Sequence, residues 1–526
     1  MAPMIRIYRT GQLLSEAEGK PGETLHNHIV SAGVWIDAPC GGQGKCGKCL
    51  VRLGGAGTSV GAGGMGASVG VDAVAPVRAC RTVIDGDADI YLPDIMDMDI
   101  VDAGSVRIEA AAKTPSRGDL GVAIDIGTTT VVAHLIDTAT GKKIATASGV
   151  NAQRACGADV MTRIKYCVDN GHERLTGLIR DQITSLINQT CFVSGERASD
   201  IKYVSIAANT IMEHLAAGLS PVGMGTVPFT PVSLFGGEIP AWEAMPVSKT
   251  AQVFFLPAVS AFVGGDITSG ILAADIEETQ GPTIFIDIGT NGEIVMKYGD
   301  RYFCCATAAG PAFEGAEITM GMAAVSGAIN HVKWENGLKY TVIGDRKPAG
   351  ICGSGLLDAL AVLLDTGAVD ETGRLLDAGE IEHDVAGHII KVDGSNAFCL
   401  TTIDNVYITA RDIRKLQLAK SAIAAGIQTL LHHAGVAETD VSSFVLAGGF
   451  GSYLDQFSAA RIGLFPTAFL SVVQTLGNTA GEGAAIALCS PAAREKLESI
   501  RNRCEYVELS TSPVFNEQFV DQMMFE

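Results

Sequence analysis

The sequence predicts two fold classes in one chain: a small α+β module at the N-terminus, then a two-lobed α/β body. Three observations carry this. Cys40, Cys46, Cys49 and Cys80 stand at the spacing C-x5-C-x2-C-x30-C, with four glycines among the residues between the first three. The run Asp-Ile-Gly-Thr occurs twice, about 160 residues apart, each time between two apolar strands. A third glycine cluster, Ala447-Gly448-Gly449-Phe450-Gly451, follows another apolar strand late in the chain.

The module comes first. Met4–Arg9 alternates and reads as a strand, the stretch from Thr24 to Ala32 as a helix leading into the cysteine loop, and Cys49–Leu53 as the next strand. Gly54–Gly70 is rich in Gly, Ala and Ser and reads as a surface loop. The segment after it brings Cys80, and Asp85-Gly86 marks a closing hairpin. Helix, cysteine loop and return strands in this order fit a β-grasp ferredoxin module over residues 1–93. Four thiolates so spaced are a ligand set for a 2Fe–2S cluster, a one-electron carrier. Gly41, Gly42, Gly44 and Gly47 lack a Cβ, so the loop can curl around a cluster and aim N–H groups at its sulfurs. Zinc would favour two CxxC knuckles, and only Cys46–Cys49 is one. Disulfides need an oxidising compartment, and no signal peptide opens the sequence. The other nine cysteines are scattered and read as small buried hydrophobes.

Residues 94–119 have no strong period and read as a linker. The body then falls into a first lobe over 120–280 and a second over 281–526, because the strand–turn–strand pattern of Gly121–Asp137 returns at Thr283–Gly299. Helices are expected at Ala158–Val168, Glu173–Val193, Ser269–Glu278, Ala410–Ala434, Gly481–Leu488 and Pro491–Ile500.

The two hairpins carry the second chemistry. Gly127 and Gly289 permit close backbone approach to a phosphate. Thr128, Thr129 and Thr290 offer hydroxyls. Asp125 and Asp287, at the strand ends, can hold Mg2+ through water, since that ion keeps much of its hydration shell. Facing loops from two lobes would clamp a polyphosphate such as ATP, with Gly448, Gly449 and Gly451 leaving bare backbone for its nucleoside. No Walker loop is present. Gly264-Gly265-Asp266 reads equally as a helix start capped by Asp266 or as a nucleotide or metal contact, and Gly353–Gly355 as a phosphate-binding helix start or a tight packing turn.

The paired hairpins resemble the acetate and sugar kinase/Hsp70/actin superfamily. Together with CGGQGKCGKC, RACRT, NAQRACGADVMTRI, NTIMEHL, ATAAGPAFEGAEITMGM and GICGSGLLDAL, they make the chain similar to the reductive activators of corrinoid-dependent methyltransferases, over nearly its whole length. The resemblance implies an actin-like ATPase fold for the body. It implies ATP-dependent passage of one electron to a Co(II) corrinoid, restoring Co(I). Cys40, Cys46, Cys49 and Cys80 would hold the cluster. Asp125, Gly127, Thr128 and Thr129 match the first phosphate loop, Asp287, Gly289, Thr290 and Asn291 the second, and Gly448, Gly449 and Gly451 the adenosine-side turn. Asp125 and Asp287 are the catalytic carboxylates on this reading. Longer members carry a further small domain before the first phosphate loop, where this chain has only the linker.

The implied partners are the corrinoid protein of a methyltransferase system and a low-potential donor, whether ferredoxin, flavodoxin or a reductase; a homodimer stays open. The net charge of −20 argues against nucleic acid and anionic membrane, and 47 % apolar residues argue for a globular chain. No uninterrupted apolar run reaches transmembrane length, and the expected location is cytoplasmic. Two alternatives stand beside the activator: a small-molecule kinase, with Asp266, Glu293 or Glu314 as its base, or a chaperone-like ATPase, each with an iron–sulfur redox sensor.

Overall fold

The computed structural model describes the chain apart from residues 1, 10, 33, 35, 37, 39–41, 43, 45–48, 55–75, 93–117, 404, 452 and 526. Cys40, Cys46, most of the Gly54–Gly70 loop and nearly all of the 94–119 linker therefore lie outside the described residues.

The N-terminal module is a five-stranded sheet crossed by one helix. Strands β1 (Met4–Arg9) and β2 (Gln12–Glu18) form a hairpin, and helix α1 (Leu25–Ser31) follows. Strands β3 (Leu50–Gly54), β4 (Val77–Arg78) and β5 (Ala88–Tyr91) complete the order β2-β1-β5-β3-β4. Thr24 caps α1 by accepting from the Asn27 amide, and Leu25 and Ile29 on its inner face meet Ile5, Ile7 and Ile90 of the sheet. The expected hairpin at Asp85-Gly86 does not form. β5 instead lies parallel to β1 and antiparallel to β3, because Ile90 must reach the sheet centre to be buried.

The body repeats one arrangement twice. β6 (Leu120–Ile126), β7 (Thr130–Asp137) and β8 (Lys142–Val150) make an antiparallel meander. α2 (Val160–Asn170) and α3 (Glu173–Ser194) lead to β9 (Ile201–Ala208), which lies parallel to β6. α4 (Thr210–Ala217) and β10 (Glu238–Pro240) precede β11 (Gln252–Phe255), parallel to β9. In the second copy β12 (Thr283–Ile288), β13 (Gly292–Tyr298) and β14 (Arg301–Thr307) are the meander. Ser443–Ala447 lies parallel to β12, and Val473–Thr475 parallel to Ser443–Ala447. The five central strands of each sheet thus share one order and one set of directions. β6 and β12 are nearly continuous apolar runs, and β9 is buried from Val204 to Ala208, because both sheet faces are covered there.

The inner covering crosses over between halves. Helix α5 (Gly265–Ala273), from the first half of the body, sends Ile267 and Ile271 onto Phe285, Val295 and Val445 of the second sheet. Helix Thr479–Cys489, from the end of the chain, sets Ala480, Ala484 and Leu488 against Ala123, Ala207 and Phe254 of the first. The two helices touch closely enough for Ser269 Oγ to donate to the Ala480 carbonyl at 2.7 Å. α5 starts before the expected Ser269–Glu278 helix and ends before it. Glu278 belongs to a separate short turn, Ile276–Glu278. The long helix Ala410–Ala434 has its expected bounds, set by a capping box of Thr409 with Asp412 and by Gly435 after its last turn. The module rests on the first half of the body: Arg174 of α3 donates to the Val30 carbonyl at the end of α1, and the Val30 side chain packs on that half's core. Among the described residues no helix is long and apolar enough to cross a membrane.

The helix crossing is a specific weak point. A Cβ on Gly483 would overlap the carbonyl and hydroxyl of Ser269, whereas one on Gly177 in α3 would meet nothing within 4 Å. Gly483→Ala is expected to destabilise by about 1–3 kcal/mol through overpacking. Gly177→Ala is expected to stabilise by up to about 1 kcal/mol. Thermal melts of the two variants should therefore move in opposite directions from the parent chain.

Candidate functional site

Each Asp-Ile-Gly-Thr turn joins the first two strands of a meander, so the duplication brings both to the same end of the body. In the first, Asp125 pairs across the ladder with Val132, and Gly127-Thr128-Thr129 makes the turn. The turn is held from behind. Buried Asn151 donates from Nδ2 to the Gly127 carbonyl at 2.8 Å, and from its backbone to the Thr129 carbonyl at 2.8 Å. The Arg163 guanidinium, fully buried on α2, donates to the Thr128 carbonyl at 2.5 Å and to the Gly157 carbonyl and Gln153 Oε1. Burial and neighbouring Arg154 pull the Arg163 pKa down to about 9. Asn209, the cap of α4, donates from Nδ2 to Thr128 Oγ1 at 3.3 Å.

In the second hairpin the residue opposite Asp287 is Glu293, where the first has valine. Gly289-Thr290-Asn291 makes the turn, closed by the Gly289 amide on the Asn291 carbonyl at 2.9 Å. The third glycine turn sits directly on this one. Gly448 has φ +86°, and a Cβ there would overlap Asp287 Oδ1, so a bare α-carbon is required for the contact. Gly449 faces open space and Gly451 is buried. Phe450 stacks on Phe313, with ring centroids 5.2 Å apart. The short helical turn Pro311–Glu314 then reaches both hairpins: Thr129 Oγ1 donates to Glu314 Oε2 at 2.6 Å and Thr290 Oγ1 to Glu314 Oε1 at 2.8 Å.

Acidic side chains crowd between the turns. Asp125, Asp266 and Asp287 keep slight exposure to the cleft and are otherwise enclosed, and Glu293 and Glu213 are buried. Burial raises the Asp125 pKa to about 7 against a hydrogen bond from Asn478, and Asp287 raises it further. Burial alone lifts Asp287 to about 6. Asp266 is raised by burial and by both of these, and Glu293 by burial and by Asp266 and Asp287. Glu213 is raised by burial and Asp266, opposed by the Gly265 backbone amide. Asp266 lies in the first turn of α5, and Gly264 takes the cap position that the sequence offered to Asp266. Among the described residues no three His, Cys, Asp or Glu side chains converge to hold a metal ion directly. A hydrated cation such as Mg2+ needs only one or two carboxylates besides its waters, which Asp125 and Asp287 could supply.

Of the cysteine quartet, Cys49 and Cys80 are described. Cys49 is buried just before β3 and Cys80 half-buried, with their sulfurs 3.2 Å apart. Two glycines that precede Cys49 in the sequence are also described. Gly42 (φ +81°) and Gly44 (φ +75°) lie where a Cβ would come within 2.7 Å of His26 Nδ1 and 2.8 Å of Arg81 Nε. Arg81, next to Cys80, also donates to the Gly44 carbonyl at 3.0 Å. A 2Fe–2S cluster takes four thiolates, of which this adjacent pair would be two, with Cys40 and Cys46 outside the described residues.

Residues 120–279 match the family described as the RACo middle region, and residues 281–526 its C-terminal domain, the ASKHA domain. The chain belongs to the RACo family. It is 35 % identical over 422 residues to the corrinoid activation enzyme RamQ of Eubacterium limosum, covering 77 % of this chain and 70 % of that one. It is 24 % identical over 450 residues to a [Co(II) methylated amine-specific corrinoid protein] reductase of Methanosarcina barkeri, covering 77 % of each. A solved structure of a reductive activator for corrinoid, iron–sulfur protein superimposes with a TM-score of 0.70 at 30 % identity, over 99 % of this chain and 98 % of that one.

The RACo-family site brings together all the hairpin residues named from sequence, with Gly448 in contact with the second turn. It adds Asn478, Arg163 and Asn151, which sequence reading left without a site role, and it sets Glu314, named there only as a possible kinase base, across the two turns. The buried arginine in NAQRACGADVMTRI was the one available signal, since a fully buried guanidinium must have several acceptors. His214, left without a role, is a core residue: Nδ1 donates to the Thr210 carbonyl and Nε2 accepts from the Val232 and Ser233 amides.

The carboxylates give a signed pH dependence. Folded Asp125 and Asp287 keep protons to about pH 7 and about pH 6, whereas an unfolded aspartate titrates near about 3.9. Between these values the folded chain binds more protons, so their contribution to stability falls as pH rises. Without divalent cation, the melting temperature should lose ground from about pH 4 to about pH 7. Asp125→Asn should flatten part of that slope, and a slope unchanged by this substitution would count against a dry cleft.

Proposed function

We propose that this chain is an ATP-dependent reductive activator of a corrinoid protein: it gives one electron to a Co(II) corrinoid and restores the Co(I) form needed for methyl transfer. The observation that carries the reading is one chain, of a family whose relatives are corrinoid activators, joining the Cys49–Cys80 thiol pair to a cleft built from two phosphate-type hairpins.

On this reading residues 1–93 form a ferredoxin-like module, 94–119 a linker, and 120–280 and 281–526 the two lobes of the ATPase body. Cys40, Cys46, Cys49 and Cys80 hold a 2Fe–2S cluster, which when bound supplies one-electron transfer at low potential. The glycine loop and Arg81 keep the thiols together and keep side chains out of the cradle. Asp125 and Asp287 hold Mg2+ through water. Gly127, Thr128 and Thr129 face the phosphates of ATP from one side and Gly289, Thr290 and Asn291 from the other, while Gly448, Gly449 and Gly451 border its nucleoside. Asn151 and Arg163 fix the first turn, and Asn478 orients Asp125. Closure on Mg–ATP relieves the repulsion among the carboxylates, so the bound nucleotide can favour one arrangement of the lobes over another. Each ~59 mV of unfavourable potential costs a one-electron step about tenfold in equilibrium, which is the deficit this selection must offset. The electron source is a low-potential donor of the ferredoxin, flavodoxin or reductase class, and the setting is cytoplasmic.

The test is reconstitution. Cluster-replete protein, reductant, Mg–ATP and a Co(II) corrinoid protein should yield the Co(I) absorption spectrum, and ATP hydrolysis should rise when the corrinoid protein is added. Failure to form Co(I) on every corrinoid protein of the source organism's methyltransferase systems would overturn the proposal. Cys80→Ser should lose the visible absorption of the cluster and Co(I) formation while still binding nucleotide. Asp287→Asn should keep the absorption and lose ATP-dependent Co(I) formation by at least about tenfold, the scale of a lost charge-assisted contact.

A further inference from the structure

The two hairpins belong to different halves of the body, yet one carboxylate joins them. Thr129 donates to one oxygen of Glu314 at 2.6 Å, and Thr290 to the other at 2.8 Å. A threonine hydroxyl has one proton and serves one acceptor at a time. Both hydroxyls are therefore committed to Glu314 and are not available to a phosphate. An entering phosphate oxygen must take those protons, and it brings negative charge against the carboxylate. Glu314 and a phosphate group exclude each other at this point of the cleft. The residue before it, Phe313, stacks on Phe450 inside the third glycine turn, so the segment Pro311–Glu314 touches all three turns.

We infer that Glu314 is a latch. It ties the halves through Thr129 and Thr290, standing where a terminal phosphate of the nucleotide would stand, and an incoming phosphate displaces it. The displacement rests on the nucleotide reading above; the tie does not. Released, the carboxylate no longer holds the Pro311–Glu314 segment against both hairpins, so nucleotide binding exchanges one cross-cleft bridge for another.

The test uses the full-length, cluster-replete chain as wild type, Glu314→Ala and Glu314→Gln. Two measurements are made: amide hydrogen exchange without nucleotide, and equilibrium binding of Mg–ATP and of AMP. In Glu314→Ala, amides of both hairpin turns should exchange about tenfold faster and Mg–ATP should bind about tenfold tighter, the scale of lost hydrogen bonds to a charged group. AMP, which lacks the terminal phosphates, should bind as in wild type. Glu314→Gln keeps the shape but has a single acceptor oxygen, so it should fall between; it carries the test if the alanine variant does not fold. Unchanged exchange at the two turns overturns the latch whatever the nucleotide does. Weaker Mg–ATP binding in Glu314→Ala, or an equal gain for ATP and AMP, overturns the displacement. Faster exchange with no nucleotide bound by any of the three chains removes the nucleotide reading and supports the tie alone.

Discussion

The body is organised around like charge held in a dry place. Asp125, Asp266, Asp287, Glu293 and Glu213 converge where two sheets end, and burial raises the pKa of every one. Ionised carboxylates cannot share such a volume without a cation, and protonated ones give up the charge that would attract it. On the proposed reading, a hydrated divalent ion with an anion behind it would relieve that repulsion. The apolar inner helices, the small residues at their crossing and the buried Asn151 and Arg163 all keep that volume in shape against its own repulsion.

Duplication explains how two carboxylates reach one point from distant sequence. Both sheets use the same central strand order, so both first hairpins end at the same edge. The copies are unequal where it matters. Asp125 faces Val132 across its ladder, while Asp287 faces Glu293 and also bears Gly448 against its oxygen. The second half thus holds more of the charge and the third glycine turn. The first is stiffened from behind by a buried guanidinium, which accepts its low pKa in return for four hydrogen-bonding partners. Exchange of the inner helices means that neither half buries its sheet alone, so relative motion of the halves must work against the α5 crossing.

Much of this was legible because local chemistry encodes it. A β-branched run ending in Asp-Ile-Gly-Thr can hardly be other than a strand and a tight turn, and the capping box at Thr409 fixes the start of the longest helix. Other features were illegible because they depend on return of the chain. Glu314 lies 24 residues past Thr290 and 185 past Thr129, and nothing local marks a glutamate that will meet both. Asn478 reaches Asp125 from near the other end of the sequence. The Asp85-Gly86 signal misled because a turn pair says where the chain bends and not which strand it joins afterwards. Burial of Ile90 at the sheet centre decided that instead.

The thiol site and the cleft are also joined by packing. His26 of α1 is buried against Gly42, and burial holds its pKa below the usual histidine range, opposed by the Asn27 side chain and the Ala155 backbone. Ala155 ends the short turn Ala152–Ala155, whose cap is Asn151, the residue that holds the Gly127 and Thr129 carbonyls. Val30 and Arg174 fasten the same helix to the first half. A run of contacts therefore leads from Gly42 through α1 to the Gly127–Thr129 turn. Contacts alone transmit nothing unless one end has two arrangements that differ in free energy. The latch inferred at Thr129–Glu314–Thr290 would be such an end: intact, it holds the first hairpin to the second half; broken, it would leave that hairpin its ties to Asn151, Arg163 and Asn209. The module then rests on the side of the cleft that keeps its supports, which places the variable contact in the second half and the stable platform under the thiols.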